Sequence, residues 1–312
     1  MHTYVVMGVV FSLLALVFWG VGDFLIQKTT RLVGSWKAVF YIGVTGSVIL
    51  FPFVIGQFRF LSWSEIGLLL FFSVLTLVAS IFDFEALRKG KMAVVEPIIG
   101  LELPITIALS VIIRGEDLSF FQAFLMAVVF VGIVFVTTSK RVSRRSVHAQ
   151  ELNHSNAESR RVYIFEKGVL FAIVGALGMS GINFVVGVGS QDISPTMTIW
   201  FIDTFLAVFS FLYFVMKGNG EWKNLWSDIR RHPRIILLQG ILDNAAWFTY
   251  GVATTWVSIS IAITVSQGYI VLAVLLGLIL NHEKITFLQK VGIGLSLGGI
   301  LILSALVADH FI

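Results

Sequence analysis

GVVFSLLALVFWGVGDF, residues 8–24, returns 160 positions later as GVLFAIVGALGMSGINF, residues 168–184. Gly8, Val9, Phe11 and Phe24 recur as Gly168, Val169, Phe171 and Phe184, and Asp23 is replaced by Asn183. Each stretch is apolar without strand-like alternation and sits in a run of about 20 such residues, the length a helix needs to cross a bilayer. Because lipid leaves no backbone group unpaired, the reading is a membrane helix.

The rest of the chain supports this. Of 312 residues, 57% are hydrophobic and 13% charged, against roughly 25% charged in soluble domains. So few charges cannot solvate a globule of this size, and the apolar excess is assigned to lipid. The 28 Phe, 8 Trp and 28 Gly suit membrane helices, where Trp anchors at interfaces and Gly allows close approach. Ten apolar runs are expected to span, near 4–25, 36–55, 66–86, 92–113, 118–138, 168–188, 195–216, 235–254, 258–280 and 287–307. The first run is read as a retained span rather than a cleaved signal, because no basic region precedes it.

A second pair of blocks repeats at an offset of 167. RGEDLSFFQAFLMAVVFVGIVFV (114–136) aligns with NHEKITFLQKVGIGLSLGGILIL (281–303), with Glu116, Phe120, Gln122, Gly132 and Ile133 recurring as Glu283, Phe287, Gln289, Gly299 and Ile300. Residues 1–138 and 168–312 therefore read as two five-span repeats joined by a basic cytoplasmic linker, 139–167. An odd number of spans turns the second repeat upside down. The expected fold is an all-α membrane protein of ten transmembrane helices in two inverted five-helix repeats, an architecture of many secondary transporters.

The cations set the orientation. Twenty of the 22 Lys and Arg lie on odd-numbered connections, with only Arg59 and Arg114 on the other side. By the positive-inside rule the odd connections are cytoplasmic and both termini outside, in a multi-pass protein of the cytoplasmic membrane. The net charge of +4 is confined to these loops, so it does not indicate nucleic-acid binding. The connection 217–234 carries Trp222 and Trp226 at i, i+4, read either as a short interfacial helix or as a solvated loop with two anchors.

At particular residues the chain resembles the drug/metabolite transporter superfamily, and within it the EamA family of ten-span proteins. The stretches ALRKGKMAVVEPI (86–98) and IIRGEDLSFFQAFLMAVVFVGIVFV (112–136), the end of the first span WGVGDF (19–24), and GLILNHEKITFLQKVGIGLSLGGILIL (277–303) carry the likeness. The family resemblance implies transport of small molecules, with substrates as varied as amino acids, sugars, nucleotide-like metabolites and drugs. The chain departs from the family pattern at Glu96 and Glu102 in the fourth span, whose second-half counterparts are Ile263 and Tyr269.

Charged groups within hydrocarbon cost roughly 2.5–3.5 kcal/mol on insertion scales, so they mark functional positions. Glu102 lies midway along the fourth span between Pro97 and Pro104, which can open the helix. Asp203 and Asp243 lie near the middle of the seventh and eighth spans, with Asn244 beside Asp243. A carboxyl group that alternates between protonated and ionised forms can exchange a proton for substrate or pair with a cationic one. Asp23 and Asn183, equivalent in the repeat, form a further candidate polar pair. These six residues are the substrate- and proton-binding candidates, and Trp19, Trp247, Tyr250 and Tyr269 are the candidates to line a cavity.

Other features read as structural. Asp23, Asp83, Glu85 and Glu96 are expected to pair with Lys28, Arg88, Lys89 and Lys91 at the interface, the polar pair with Asn183 being the alternative for Asp23. Glu116 and Glu283 are expected to cap the fifth and tenth helices or bind nearby backbone. Gly294 and Gly298 are expected to mediate close packing within the chain, or a homodimer through the last span. No cysteine is present, which removes thiolate catalysis and cysteine-ligated metals, and the six His lack metal-ligand spacing. GxxxxGK[ST] is absent, which argues against direct ATP coupling. The expectation is a transporter rather than an enzyme, needing no cofactor or metal. It takes a small-molecule substrate in a lipid bilayer, as a proton-coupled exporter. The alternatives are a membrane-embedded enzyme acting on lipid, an importer of a sugar or amino acid, and a membrane scaffold or sensor.

Overall fold

The computed structural model describes residues 2–89, 98–137, 168–218, 220–272 and 286–309. Regular structure among them is entirely helical. Five described α-helices precede the linker region at full or partial length: α1 (His2–Val33), α2 (Ser35–Val54), α3 (Trp63–Lys89), α4 (Glu102–Arg114) and α5 (Phe120–Thr137). After it come α6 (Val169–Asp192), α7 (Pro195–Met216), α8 (Glu221–Arg231), α9 (Pro233–Thr254), α10 (Ile259–Ser266) and α11 (Phe287–Asp309). The linker 139–167, part of the fourth span with Lys91, Glu96 and Pro97, and the end of the ninth with Glu283 lie outside the described residues.

Six described helices are long and apolar enough to cross a bilayer: α1, α2, α3, α6, α7 and α11. Helix α9 matches them in length, but Gln239, Asp243, Asn244 and Thr249 interrupt its apolar character. Shorter apolar helices span Phe120–Val136 and Ile259–Leu272. The surface is apolar where a soluble protein would be polar. Val48, Phe53, Phe71, Ile112, Phe120 and Leu301 are each exposed. The polar side chains Ser12, Thr106, Asn183, Ser210, Gln239 and Ser266 are buried. This inside-out distribution follows from lipid as the solvent, which accepts large apolar patches and rejects unpaired polar groups.

The two halves pack reciprocally. Helix α1 lies chiefly against α9 and α3 against α6, while α2 meets α7 and α5 meets α11. The first helix of each repeat thus meets the third of the other, and the second and fifth meet their own equivalents. Such pairing is what a twofold relation between repeats produces.

Small residues bring these pairs together. A Cβ on Gly43 would lie 2.6 Å from the Asp203 carbonyl on α7. On the α5–α11 contact, Gly132, Gly292, Ser296 and Gly299 interlock. Gly294 and Gly298 have nothing among the described residues within 4 Å of a built Cβ, whereas Gly292, Ser296 and Gly299 make close intrachain contacts with α5. A helix advances 100° per residue, which turns the two sets to different faces.

The connection 217–234 contains a helix, α8, with Trp222 and Trp226 exposed and Leu225 buried. It is fastened to α2, where Lys37 Nζ meets Asp228 Oδ2 at 2.6 Å and Tyr41 donates to the Leu225 carbonyl at 3.0 Å.

Candidate functional site

The runs read from sequence as the fourth and ninth spans are both interrupted among their described residues. Gly100–Leu101 and Gln267–Gly268 form turns between helical residues, at the 167-residue offset of the repeat. There the backbone slips from four-residue to three-residue hydrogen bonding, seen in Leu101 N–H to Ile98 O at 3.1 Å and Gly268 N–H to Val265 O at 3.2 Å. Pro104 stands in the first turn of α4, where a missing N–H has no intrahelical partner to lose. In the second repeat Gly268 lies close to Leu16 and Ile300, a proximity that a side chain would prevent. Broken helices of this kind place polar groups at mid-bilayer where they line a cavity.

Glu102 follows the first break and is 3% exposed. Its Oε2 accepts from Asn183 Nδ2 at 3.3 Å and from Gln267 Nε2 at 3.2 Å. Both donors belong to the second repeat, and Gln267 stands at the second break. Tyr250 donates in turn to the Asn183 carbonyl at 2.9 Å. One hydrogen-bonded chain thus ties α4, α6, α9 and the ninth-span break together.

A cavity of about 80 Å3 opens beside this network, room for several water molecules. Both repeats supply its wall. Asp23, Asp83, Glu102, Asp203 and Asp243 contribute carboxyl groups, and Thr76 and Ser80 contribute hydroxyls. Trp19, Trp247 and Tyr269 contribute rings. Trp19 is the hub, with its centroid 5.0 Å from Trp247, 5.6 Å from Tyr250 and 6.0 Å from Tyr269. Tyr250, Asn183 and Asn244 stand behind the wall. Asn244 donates to the Ile42 and Gly240 carbonyls at 3.1 and 2.8 Å. Those two bonds turn its Oδ1 toward Asp203 Oδ2, and both oxygens would collide with a Cβ on Gly46.

Asp83 corrects the sequence reading. It is 7% exposed and faces the cavity, and Oδ1 accepts no hydrogen bond from a described residue. Its neighbour Glu85 makes the expected interfacial pairs, with Arg88 at 2.8 Å and Lys89 at 2.7 Å. Two helical steps separate Asp83 from Glu85 by about 200°, so one faces inward and the other outward. The signal was in the sequence: Thr76, Ser80 and Asp83 stand at i, i+4 and i+7, a polar stripe on an apolar helix. Gln267 was also missed, because a lone amide in an apolar run has no periodicity to mark it.

The cavity wall runs toward Val39 and Leu87, which neighbour Lys37 and Arg88 at the cation-rich end. The opposite end is joined across the repeats. Gly115 ends α4 in the left-handed conformation, φ 65°, which a side chain would resist. Glu116 then reaches the N-terminus of α10, accepting from Ile259 N–H at 2.6 Å, Ser260 N–H at 3.0 Å and the Ser260 hydroxyl at 2.6 Å. Glu116 therefore caps the ninth-span helix of the other repeat, rather than the fifth. Arg114 grips Asp192 through two bonds of 3.0 and 2.9 Å, and Ser194 donates to Gln57 at 2.6 Å.

Comparison with known proteins follows the same division. A family model described as the EamA-like transporter family matches residues 6–138 and 166–305. An uncharacterized protein of Methanocaldococcus jannaschii is 27% identical over 138 residues, which take in 97% of that protein and 42% of this chain. That relative is thus about the size of one repeat. A solved crystal structure superposes with a TM-score of 0.70 at 14% identity, covering 97% of this chain and 98% of the other; the likeness is one of fold.

Proposed function

The chain belongs to the EamA-like transporter family, and from that premise we propose that it is a secondary active exporter of a small metabolite or drug-like compound, driven by a proton gradient. Its ten spans form two inverted five-helix repeats, 1–138 and 168–312, joined by a cytoplasmic linker. The repeats rock against each other and expose the cavity to alternate sides. The cation-rich end faces the cytoplasm of a plasma or inner membrane, and the cavity described above opens toward it. The end carrying Glu116 and Arg114–Asp192 is the closed outer gate.

One observation carries this reading: carboxyl groups from both repeats converge on one mid-bundle cavity beside two broken helices. A rearrangement of one repeat against the other changes the surroundings of every such group, which is what links proton binding to substrate movement. Glu102 is the prime candidate for coupling, because Asn183 and Gln267, which donate to it, belong to the opposite repeat. Asp203 and Asp243, with Asp23 and Asn244, make up the remainder of the proton and substrate site.

Purified protein in liposomes with an imposed pH gradient tests the proposal. Gradient-dependent flux of at least one compound from a broad metabolite panel is expected, abolished by a protonophore. Lipid turnover without any such flux would favour an embedded enzyme instead.

A further inference from the structure

Asp83 on α3, Asp203 on α7 and Asp243 on α9 all line the cavity. Asp243 is within electrostatic reach of both of the others. Asp83 Oδ1 is buried without a hydrogen-bond partner among the described residues, and Asp203 Oδ2, also without one, is turned toward Asn244 and Gly46 rather than into the cavity. Asp83 and Asp203 are 7% and 5% exposed and both line the cavity. None of the three forms an ion pair with a described residue, and no described Lys, Arg or His lines the wall. Unpaired acceptors held this deep need a donor or a positive charge opposite them.

Trp19, Trp247 and Tyr269 line the same cavity, and their π-faces attract cations while their rings bury apolar surface. A hard metal ion is a poor match, since it demands six or more oxygen ligands. No cluster of three potential metal-ligating side chains is found among the described residues.

We infer that this cavity selects small organic cations, an amine or quaternary ammonium group carried on an apolar or aromatic body. The carboxylates take the charge and the ring cluster takes the body. The inference rests on the transporter reading for its physiological meaning but not for its physical test, which is binding.

The test uses intact purified protein in detergent and three probes built on one ring: benzyltrimethylammonium, benzyl alcohol and benzoate. Isothermal titration calorimetry is expected to give at least tenfold tighter binding of the cation than of either other probe. Asp243→Asn and Trp247→Leu should each weaken cation binding fivefold or more, and Trp247→Phe by less. Asp83→Asn replaces Asp243→Asn if the latter fails to elute as a single species on gel filtration. Equal or stronger binding of the alcohol or benzoate, or no cation binding, overturns the inference.

Proteoliposome flux separates the two claims. Cation-selective binding without gradient-driven movement of any solute leaves the site assignment standing and removes the transporter reading. Gradient-driven flux of neutral or anionic solutes, with no cation binding, does the reverse.

Discussion

Gln267 donates to Glu102 Oε2 at 3.2 Å, joining the break in the ninth span to the break in the fourth. The bond crosses from one repeat to the other at the level of the cavity. The Glu102 carboxyl group is held between the Gln267 and Asn183 amides. Replacing Glu102 with Gln preserves size and can still present an oxygen to one donor. Glu102→Gln is therefore expected to give near-normal folded yield and at least a tenfold loss of proton-driven flux. Glu102→Ala should also lower thermal stability, since two buried donors lose their acceptor at about 1–3 kcal/mol. Unchanged coupled flux in Glu102→Gln would remove Glu102 from the coupling site.

Gly46 gives a packing test. A Cβ there would overlap the side chains of both Asp203 and Asn244; helix α7 is already in close contact with α2 at Gly43, and Asn244 is held by its bonds to the Ile42 and Gly240 carbonyls. Gly46→Ala is expected to destabilise by about 1–3 kcal/mol through overpacking. Gly67, exposed on α3 with nothing among the described residues within 4 Å of a built Cβ, is the control. Gly67→Ala should be neutral or stabilising by up to about 1 kcal/mol, from helix propensity alone. Melting temperatures in detergent at one scan rate should order Gly67→Ala above the unaltered protein and Gly46→Ala below it.

Glu116 and Arg114 stand two residues apart yet should behave differently. Glu116 accepts three hydrogen bonds at a helix start, so Glu116→Ala should cost about 1–3 kcal/mol. The Arg114–Asp192 pair is solvent-exposed on both sides, so Arg114→Ala should cost at most about 1 kcal/mol. Thermal melts decide this, and equal losses would argue against the cap.

Helix α8 is expected to lie at the membrane surface with Trp222 and Trp226 in contact with lipid. Brominated lipids should quench a component of tryptophan fluorescence that disappears in the Trp222→Phe, Trp226→Phe double variant. Quenching that is identical with and without these two residues would place α8 away from lipid.

The loop charges predict an external C-terminus. A fluorescent protein fused after Ile312 should remain dark, since such fusions fluoresce reliably in the cytosol. A bright fusion would reverse the proposed orientation.

Several properties were legible in the sequence itself. Hydropathy and low charge gave a helical membrane protein, because lipid admits little else. The repeat offset of 167 paired Glu102 with Tyr269, and the structure places both immediately after equivalent helix breaks. Trp19, Trp247, Tyr250 and Tyr269, chosen as cavity candidates from residue type and span position, stand in one ring cluster. What one dimension could not supply was the rotation of each helix about its own axis and the identity of its neighbour. Those decided that Asp83 turns inward while Glu85 turns out, and that Glu116 caps a helix more than 140 positions away. They also decided that Gly292, rather than Gly294, meets Gly132. Each depends on packing between elements distant in the chain, where a shift of one or two residues moves a side chain from lipid to cavity.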